Sequence, residues 1–215
     1  MNTTWKELQE TCLRKMFSLD GVELVRDSST NPYLNSMPSA ANEAMRFLVT
    51  TGRFWKKCLT IEQNWDEAAQ EGNLLGGFVA YDLGTMVDDF YCLDNIKIAA
   101  GNRYGDLVGY RMEGERILLI PADAAGTIRV WYNAYPPKIT AKTADDFEIG
   151  LPPEVAAMIA HYMAGQLYKD DDISIAQLYM NEFMTWLEEL KVSAARASGK
   201  NAGNGRGWTS VKGYY

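Results

Sequence analysis

The stretch Thr127-Ile-Arg-Val-Trp-Tyr-Asn133 decides the fold class, because its side chains alternate in character. Ile128, Val130 and Tyr132 fall on one face of an extended chain, since successive side chains of a β-strand point to opposite faces. The other face carries the intervening residues Thr127, Arg129, Trp131 and Asn133. One apolar face and one wetter face are typical of an antiparallel sheet. The stretch therefore predicts a strand of such a sheet.

Five further stretches between residues 54 and 135 share this strand character. They are rich in β-branched and aromatic residues and are bounded by turn residues. They are Phe54–Gln63, Gly77–Leu83, Phe90–Ala99, Leu107–Met112 and Arg116–Pro121. Gly114, between the last two, predicts a hairpin turn because glycine adopts the positive φ that tight hairpins need.

Residues 3–52 are expected to form two helices. Thr4 and Glu7 have the spacing of a capping box, in which each side chain accepts a hydrogen bond from the other residue's backbone N–H. The apolar residues that follow recur at three- and four-residue steps and define one helix face: Trp5, Leu8, Cys12, Leu13 and Met16. Asp20-Gly21 is expected to end this helix.

The second helix is expected to begin at Ser36 or Ser39, with Pro38 in its first turn. A turn-rich connection over Ser28–Ser36, which contains Asn31-Pro32, is expected to precede it. Gly52 is expected to end it. Its narrow apolar stripe consists of Ala41, Ala44, Met45 and Leu48.

Residues 151–197 have the pattern of a helical hairpin. Pro152-Pro153-Glu154 is a typical helix start, with proline in the first turn. Two sets of apolar residues at helical spacing follow, and Asp170-Asp171-Asp172 separates them. These carboxylates are expected to end the first helix and to cap the second, because they can accept from its free N–H groups. The two sets are Val155, Met158, Ile159, Tyr162, Met163 and Leu167, and then Ala176, Tyr179, Met180, Phe183, Leu187 and Leu190.

The expected fold is α+β: a helical bundle from both ends of the chain, an inserted antiparallel β-domain and an extended C-terminal arm. The expected divisions are 1–53, 54–150, 151–197 and 198–215. The chain has 215 residues, of which 47% are hydrophobic and 23% charged, as in ordinary globular proteins. We expect no signal peptide and no membrane span, and cysteines 12, 58 and 92 are too few and too scattered for a disulfide framework.

Charge and motifs favour a non-enzymatic protein. The net charge of −7 argues against a free-standing DNA-binding protein, which needs a basic face. The single histidine, His161, has no nucleophile at motif spacing, so we expect a structural role in its helix. The acidic pairs and triplet are expected to be solvated turns and a helix cap. We therefore predict no catalytic residues, no metal site and no cofactor.

Two other functions remain open. The first is a carbohydrate-binding β-domain of a tail fibre or baseplate, with Trp55, Trp65 and Trp131 as the stacking platform. The second is a hydrolase that uses scattered acidic residues, such as Asp88-Asp89 or Asp145-Asp146. Neither accounts for the flanking helices.

Residues 198–215 differ in kind from the rest. They are rich in glycine and contain three basic residues and no acidic one. We predict that this arm docks on another subunit, because aromatic side chains give much contact area at little entropic cost. The alternative is a terminus that stays loose in solvent. The predicted partner-binding residues are Arg206, Trp208, Val211, Lys212, Tyr214 and Tyr215.

The C-terminal half resembles a known family. The order is Arg116-Ile-Leu-Leu-Ile-Pro121, a turn, Ile128-Arg-Val-Trp-Tyr-Asn-Ala-Tyr-Pro-Pro-Lys-Ile-Thr140, then Phe147-Glu-Ile-Gly-Leu-Pro-Pro-Glu154 and the helix pair. This succession resembles the head-to-tail adaptor, or connector, proteins of tailed bacteriophages. The N-terminal helix pair, with Asn42-Glu-Ala-Met45, is compatible with them.

This resemblance implies a structural part of the virion. Members of that family form a ring, usually of twelve copies, beneath the portal, where they extend the DNA channel and dock the tail or the next neck protein. The implied partners are other copies of the chain, the portal, a tail or neck protein, and double-stranded DNA that passes without specific binding. The implied location is the virion neck, after synthesis in the cytoplasm of the host bacterium.

Overall fold

A computed structural model describes residues 2–17, 27–64, 74–100 and 103–202. It confirms an α+β fold with antiparallel sheets between N- and C-terminal helices. The elements are α1 Trp5–Met16, α2 Asn31–Val49, β1 Lys56–Gln63, β2 Leu74–Leu75, β3 Phe78–Asp82, α3 Leu83–Met86, β4 Phe90–Ala100, β5 Arg103–Asp106, β6 Arg111–Glu113, β7 Ile117–Pro121, β8 Gly126–Ala134, α4 Pro153–Leu167 and α5 Ile173–Ala202.

The chain divides into two compact units. The helical unit combines Met1–Thr51 with Lys138–Tyr215, and the β unit is the intervening Gly52–Pro137. The segment 138–151 therefore groups with the helices, although its sequence has no helical period. Ile139 exchanges two hydrogen bonds with the Asn42 side chain, at 2.7 and 2.9 Å. Backbone bonds of Thr3 to Ile149 and Leu151 fix the other end of the segment.

Helix α1 begins as its sequence predicts. The Thr4 hydroxyl accepts from the Glu7 N–H at 3.3 Å, and the Glu7 carboxylate accepts from the Thr4 N–H at 2.9 Å. The five predicted apolar residues of this helix are all buried. The helix ends at Met16, before the predicted stop at Asp20-Gly21, which lies outside the described residues.

Helix α2 corrects the prediction of a turn over Ser28–Ser36. The helix begins at Asn31 and has Pro32 in its first turn, where the missing N–H costs nothing because no intrahelical acceptor exists there. Pro38 lies inside the helix rather than in its first turn. The predicted stripe is confirmed, since Ala41, Ala44, Met45 and Leu48 are fully buried.

Helix α4 is the centre of the helical unit, because it contacts α1, α2 and α5. Its ten buried residues run all round the helix. Gly165 allows the close approach to α5, since a Cβ there would lie 2.9 Å from Met180 Cγ and 3.1 Å from the Ala176 carbonyl oxygen. The predicted cap at the start of α5 is confirmed, because the Asp172 carboxylate accepts from the N–H groups of Ser174 and Ile175.

The β unit contains two four-stranded antiparallel sheets, in the orders β1-β8-β4-β5 and β2-β3-β7-β6. Their inner faces share one apolar core, to which both sheets contribute. The apolar face predicted for β8 is confirmed, since Ile128, Val130 and Tyr132 are buried. Asn133 departs from the predicted wetter face, because it is buried as well and its amide donates to Cys92 Sγ. The other core residues include Ile61, Ile96, Leu118 and Ile120.

The predicted strand Leu107–Met112 is wrong. The chain forms a strand before it, β5, and another that begins at Arg111. Gly109 interrupts the stretch with a φ of +85°, which an extended strand does not allow. The hairpin between β6 and β7 is confirmed, with Gly114 at a φ of +64°.

Candidate functional site

The six predicted partner-binding residues lie outside the described residues: Arg206, Trp208, Val211, Lys212, Tyr214 and Tyr215. The structure follows the chain into this region as far as Ala202, because α5 continues past the predicted boundary at residue 197. The sequence Ala194-Ala-Arg-Ala197 favours that continuation, since alanine and arginine are strong helix formers. Helix α5 is therefore the element that carries the arm.

A groove opens between α4 and α5 within the helical unit. Its cavity volume is about 440 Å³, and its lining consists of Glu154, Met158, Trp186, Glu189, Leu190 and Ser193. Trp186 and Leu190 are half-buried, whereas Glu154 and Glu189 are exposed at the rim. The groove therefore has an apolar floor and an acidic edge. Trp186 and Leu190 are four residues apart, a spacing that places them on one helix face and can be read from the sequence. Their contact with Met158 depends on the packing of α4 against α5.

The outer face of α5 carries exposed apolar side chains. Leu178 and Val192 are 57% and 47% exposed. They are fourteen residues apart, which is close to four helical turns, so they lie on the same side of the helix. They are about 21 Å apart along the helix axis, so they are two separate exposed apolar side chains.

His161 is enclosed by charged groups from two other helices. Its Nδ1 lies 2.8 Å from the Ala157 carbonyl oxygen and donates to it. Its Nε2 lies 3.1 Å from Lys15 Nζ of α1 and 3.1 Å from a carboxylate oxygen of Glu182 of α5. The ring also meets the Trp186 ring edge-on, with centroids 4.5 Å apart. The sequence could not show this cluster, because Lys15 and His161 are 146 residues apart.

Burial controls the protonation of this cluster. It lowers the pKa of His161, and the nearby Lys15 ammonium lowers it further, against the opposing effects of the Ala157 carbonyl and Glu182. Burial also lowers the pKa of Lys15 and raises that of the neighbouring Cys12 thiol. A thiol whose pKa is raised is a poor nucleophile. The cluster therefore gives the partly buried His161 polar partners from α1 and α5 inside the helical unit.

Asp89 and the triplet Asp170–Asp172 contain acidic residues that have structural partners. Asp89 accepts from Lys57 Nζ at 2.5 Å and from the Tyr132 hydroxyl at 3.1 Å. Asp171 accepts from the Tyr33 hydroxyl at 3.0 Å, and Asp172 caps α5. Within residues 2–17, 27–64, 74–100 and 103–202, no group of three or more His, Cys, Asp or Glu side chains could hold a metal ion.

The tryptophans of the carbohydrate-binding alternative are only partly described. Trp55 and Trp131 are half-buried, and Trp65 lies outside the described residues. Trp131 lies on the outer face of its sheet, where it is paired with Cys58 of β1 and Asn95 of β4. One flank of this face carries the Arg129 guanidinium, 4.6 Å from the centre of the Tyr104 ring.

No helix among the described residues is long and apolar enough to span a membrane. No curated protein matches the chain. The family model described as SU10 adaptor protein matches residues 3–206, a range that includes both units and reaches Arg206 of the arm. Because this match covers nearly the whole sequence, the chain belongs to the SU10 adaptor protein family.

Proposed function

We propose that this chain, a structural adaptor protein of a bacteriophage virion, forms a closed ring of twelve copies beneath the portal. The ring extends the channel for double-stranded DNA and gives the tail, or the next neck protein, a surface to dock on. The protein acts in the neck, after synthesis in the cytoplasm of the host bacterium. The observation that carries this proposal is the family match over residues 3–206, together with the α+β architecture.

The charge of the chain supports a channel role. Its 28 acidic residues exceed its 21 basic ones, and residues 198–215 hold three of the basic residues and none of the acidic ones. The excess of acid is therefore concentrated in residues 1–197. An acidic lumen repels the DNA phosphates, so that the duplex slides instead of binding.

The surface of α5 supports contacts between copies. A ring of identical subunits uses heterologous contacts, in which one patch meets a different patch of the next copy. Leu178 and Val192, two separate exposed apolar side chains on the same side of this helix, offer one set of contacts. The arm offers a second one, with Trp208, Tyr214 and Tyr215 as anchors.

Removal of Gly207–Tyr215 tests the arm. The truncated chain is expected to fold as the full chain does, because the family match and the described elements end before residue 207. It is expected to assemble poorly on the portal, and Trp208→Ala alone costs about 2 kcal/mol or more per subunit if this residue is a hot spot. Incorporation into particles and circular dichroism measure the two effects.

Negative-stain images with and without purified portal test the ring itself. We expect rings in the presence of the portal, and Leu178→Glu should reduce their number because it places a charge in the proposed contact. Gln177→Glu is the control, because this exposed neighbouring position turns its side chain by about 100° around the helix. Truncated protein that fills its place in particles as well as the intact chain would refute the role of the arm, and monomers on every portal would refute the ring.

A further inference from the structure

The groove between α4 and α5 has the chemistry of a receptor for a basic aromatic segment. Met158, Trp186 and Leu190 form an apolar floor, and the exposed carboxylates of Glu154 and Glu189 stand at its edge. Its volume of about 440 Å³ lies in the range of pockets that bind large side chains or small ligands. Every lining residue belongs to the helical unit, so the groove is complete within one copy.

The complementary segment is in the same chain. Residues 203–215 contain one tryptophan, two tyrosines, two basic residues and no acidic residue. An indole ring matches the apolar floor, and Arg206 and Lys212 match the two rim carboxylates in number and sign. Tryptophan and arginine are the side chains most often found at the energetic centre of interfaces.

Reach favours the groove of a neighbouring copy over the groove of the same chain. Leu190, in the groove, precedes the last described turn of α5 at Ala202 by about 18 Å along the helix axis. Trp208 is six positions beyond Ala202, and a flexible glycine-rich chain of that length would span only about 12–15 Å. Even fully extended it covers roughly 20–22 Å, and it must first reverse direction. If the groove belongs to a neighbouring copy that lies beyond the C-terminal end of α5, the chain can reach it without turning back.

We infer that Trp208 of one copy seats in the groove between α4 and α5 of a neighbouring copy, with Arg206 and Lys212 against Glu154 and Glu189. This inference rests on the proposed ring, since it needs a neighbour at a fixed place. Each copy then provides one arm and one groove, so the contact is heterologous and repeats around a closed ring.

Disulfide trapping between two distinguishable copies tests the inference. One full-length copy carries Ser193→Cys in the groove and a size tag, and the other carries Thr209→Cys beside Trp208. Both carry Cys58→Ser, because Cys58 is the exposed native thiol among the described cysteines. We expect a mixed disulfide of tagged and untagged chains, at least about tenfold above that of a tagged copy with Met184→Cys. Met184 is 44% exposed on the same helix but lies outside the groove.

Charge reversal gives a second readout. The double variant Glu154→Lys with Glu189→Lys should lower the mixed disulfide roughly tenfold, since like charges then meet at the rim. Arg206→Glu with Lys212→Glu on the other copy should restore it. Glu188→Lys is the matched control, because the neighbouring position turns its side chain by about 100° around the helix. All of these positions are on the surface or in the arm, and circular dichroism verifies the fold.

Three results overturn the inference. The first is an intrachain disulfide in a chain with both cysteines and no interchain product. The second is a cross-link of Thr209→Cys to the portal alone, and the third is a mixed disulfide at the level of the Met184→Cys control. Rings are scored by negative stain in the same samples. Normal rings without the mixed disulfide refute the groove and leave the proposed function intact, whereas absence of rings with the portal refutes the proposed function.

Discussion

Helix α4 is packed between α1, α2 and α5, whereas strand β8 buries one face along its length and the other face only at Asn133. Ten of the fifteen residues of α4 are buried, and its charged or polar groups lie at its ends or around His161. In β8 the buried Ile128, Val130 and Tyr132 alternate with residues of the outer face. In the helical unit, one central helix therefore provides much of the buried surface. In the β unit, the outer face of β8 leaves residues such as Arg129 accessible for polar contacts.

The two units also differ in how they satisfy buried polar groups. The helical unit places His161 between an ammonium and a carboxylate, Lys15 and Glu182. The β unit uses a neutral amide, Gln63, which is 1% exposed. Its Nε2 donates to the carbonyl oxygens of Pro121 and Ala124, and its Oε1 accepts from the Tyr81 hydroxyl. The stability of the helical unit is therefore expected to depend on pH near neutrality through His161, whereas the amide of Gln63 does not titrate.

Phe183→Ala is the change expected to damage the helical unit most. Phe183 is fully buried, and its ring packs against Tyr162 with centroids 4.9 Å apart. Its removal leaves a cavity and should cost about 3–5 kcal/mol of unfolding free energy. Urea denaturation measures the loss. Met184→Ala, at the next and exposed position, should change stability by less than about 0.5 kcal/mol, and equal losses would contradict the central role of this packing.

Gln63→Leu is expected to damage the β unit by a smaller amount. The change leaves two carbonyl oxygens and the Tyr81 hydroxyl without this partner inside the β unit, which should cost about 1–3 kcal/mol. Glu62→Leu is the control, because Glu62 is exposed and accepts only a surface hydrogen bond from Thr127 among the bonds described. If the two units unfold separately, Gln63→Leu lowers the urea midpoint of the β unit and Phe183→Ala lowers that of the helical unit. Movement of both by either variant would show that the units unfold together.

Acid is expected to weaken the helical unit through His161. Because its folded pKa lies below the ordinary value of about 6.5, the unfolded chain binds the proton more readily. The contribution of His161 to the free energy of unfolding is therefore complete above about pH 6.5. It is lost as the pH falls through that value towards the folded pKa. The loss is at most about 1.4 kcal/mol for each pH unit within that window.

His161→Gln separates this effect from general acid unfolding. The variant cannot take up the proton, so its stability should fall less than that of the parent between about pH 7.5 and pH 5.5. Urea midpoints at the two pH values give the comparison. Equal falls in the two proteins would show that His161 contributes nothing to the pH dependence.

Lys56→Ala is the smallest expected change. Lys56 and Asp94 form an exposed ion pair at 2.9 Å on the β unit, and such pairs contribute about 0.2–1 kcal/mol. The loss should shrink in high salt, because ions screen exposed charges. Lys142→Ala, at an exposed lysine of the helical unit, is the control, and a loss that persists unchanged in salt would indicate packing by the Lys56 chain instead.

Local signals in the sequence predicted the local features correctly. The capping box of Thr4 and Glu7, the cap at Asp172, the apolar face of β8 and the turn at Gly114 each depend on residues a few positions apart. The start of α2 was missed because Asn31-Pro32 is equally typical of a turn and of a first helical turn. Only the packing of the buried residues that follow, Leu34 and Met37, decides between them.

The candidate site was less accessible to sequence reasoning. The groove depends on the packing of α4 against α5, which brings Met158 beside Trp186 and Leu190. Lys15 and Glu182 reach His161 from helices that are far apart in sequence. Composition indicated a basic aromatic arm, but not the acidic rim formed by Glu154 and Glu189.

The discontinuity of the helical unit has a consequence for synthesis on the ribosome. The β unit, Gly52–Pro137, is continuous, so all of its strands have been synthesised before α4. Helices α1 and α2 must wait for residues 153–167 before their apolar faces are covered. The β unit therefore has all of its strands once Pro137 has left the ribosome, whereas the helical unit can pack its first two helices only after α4 has followed them.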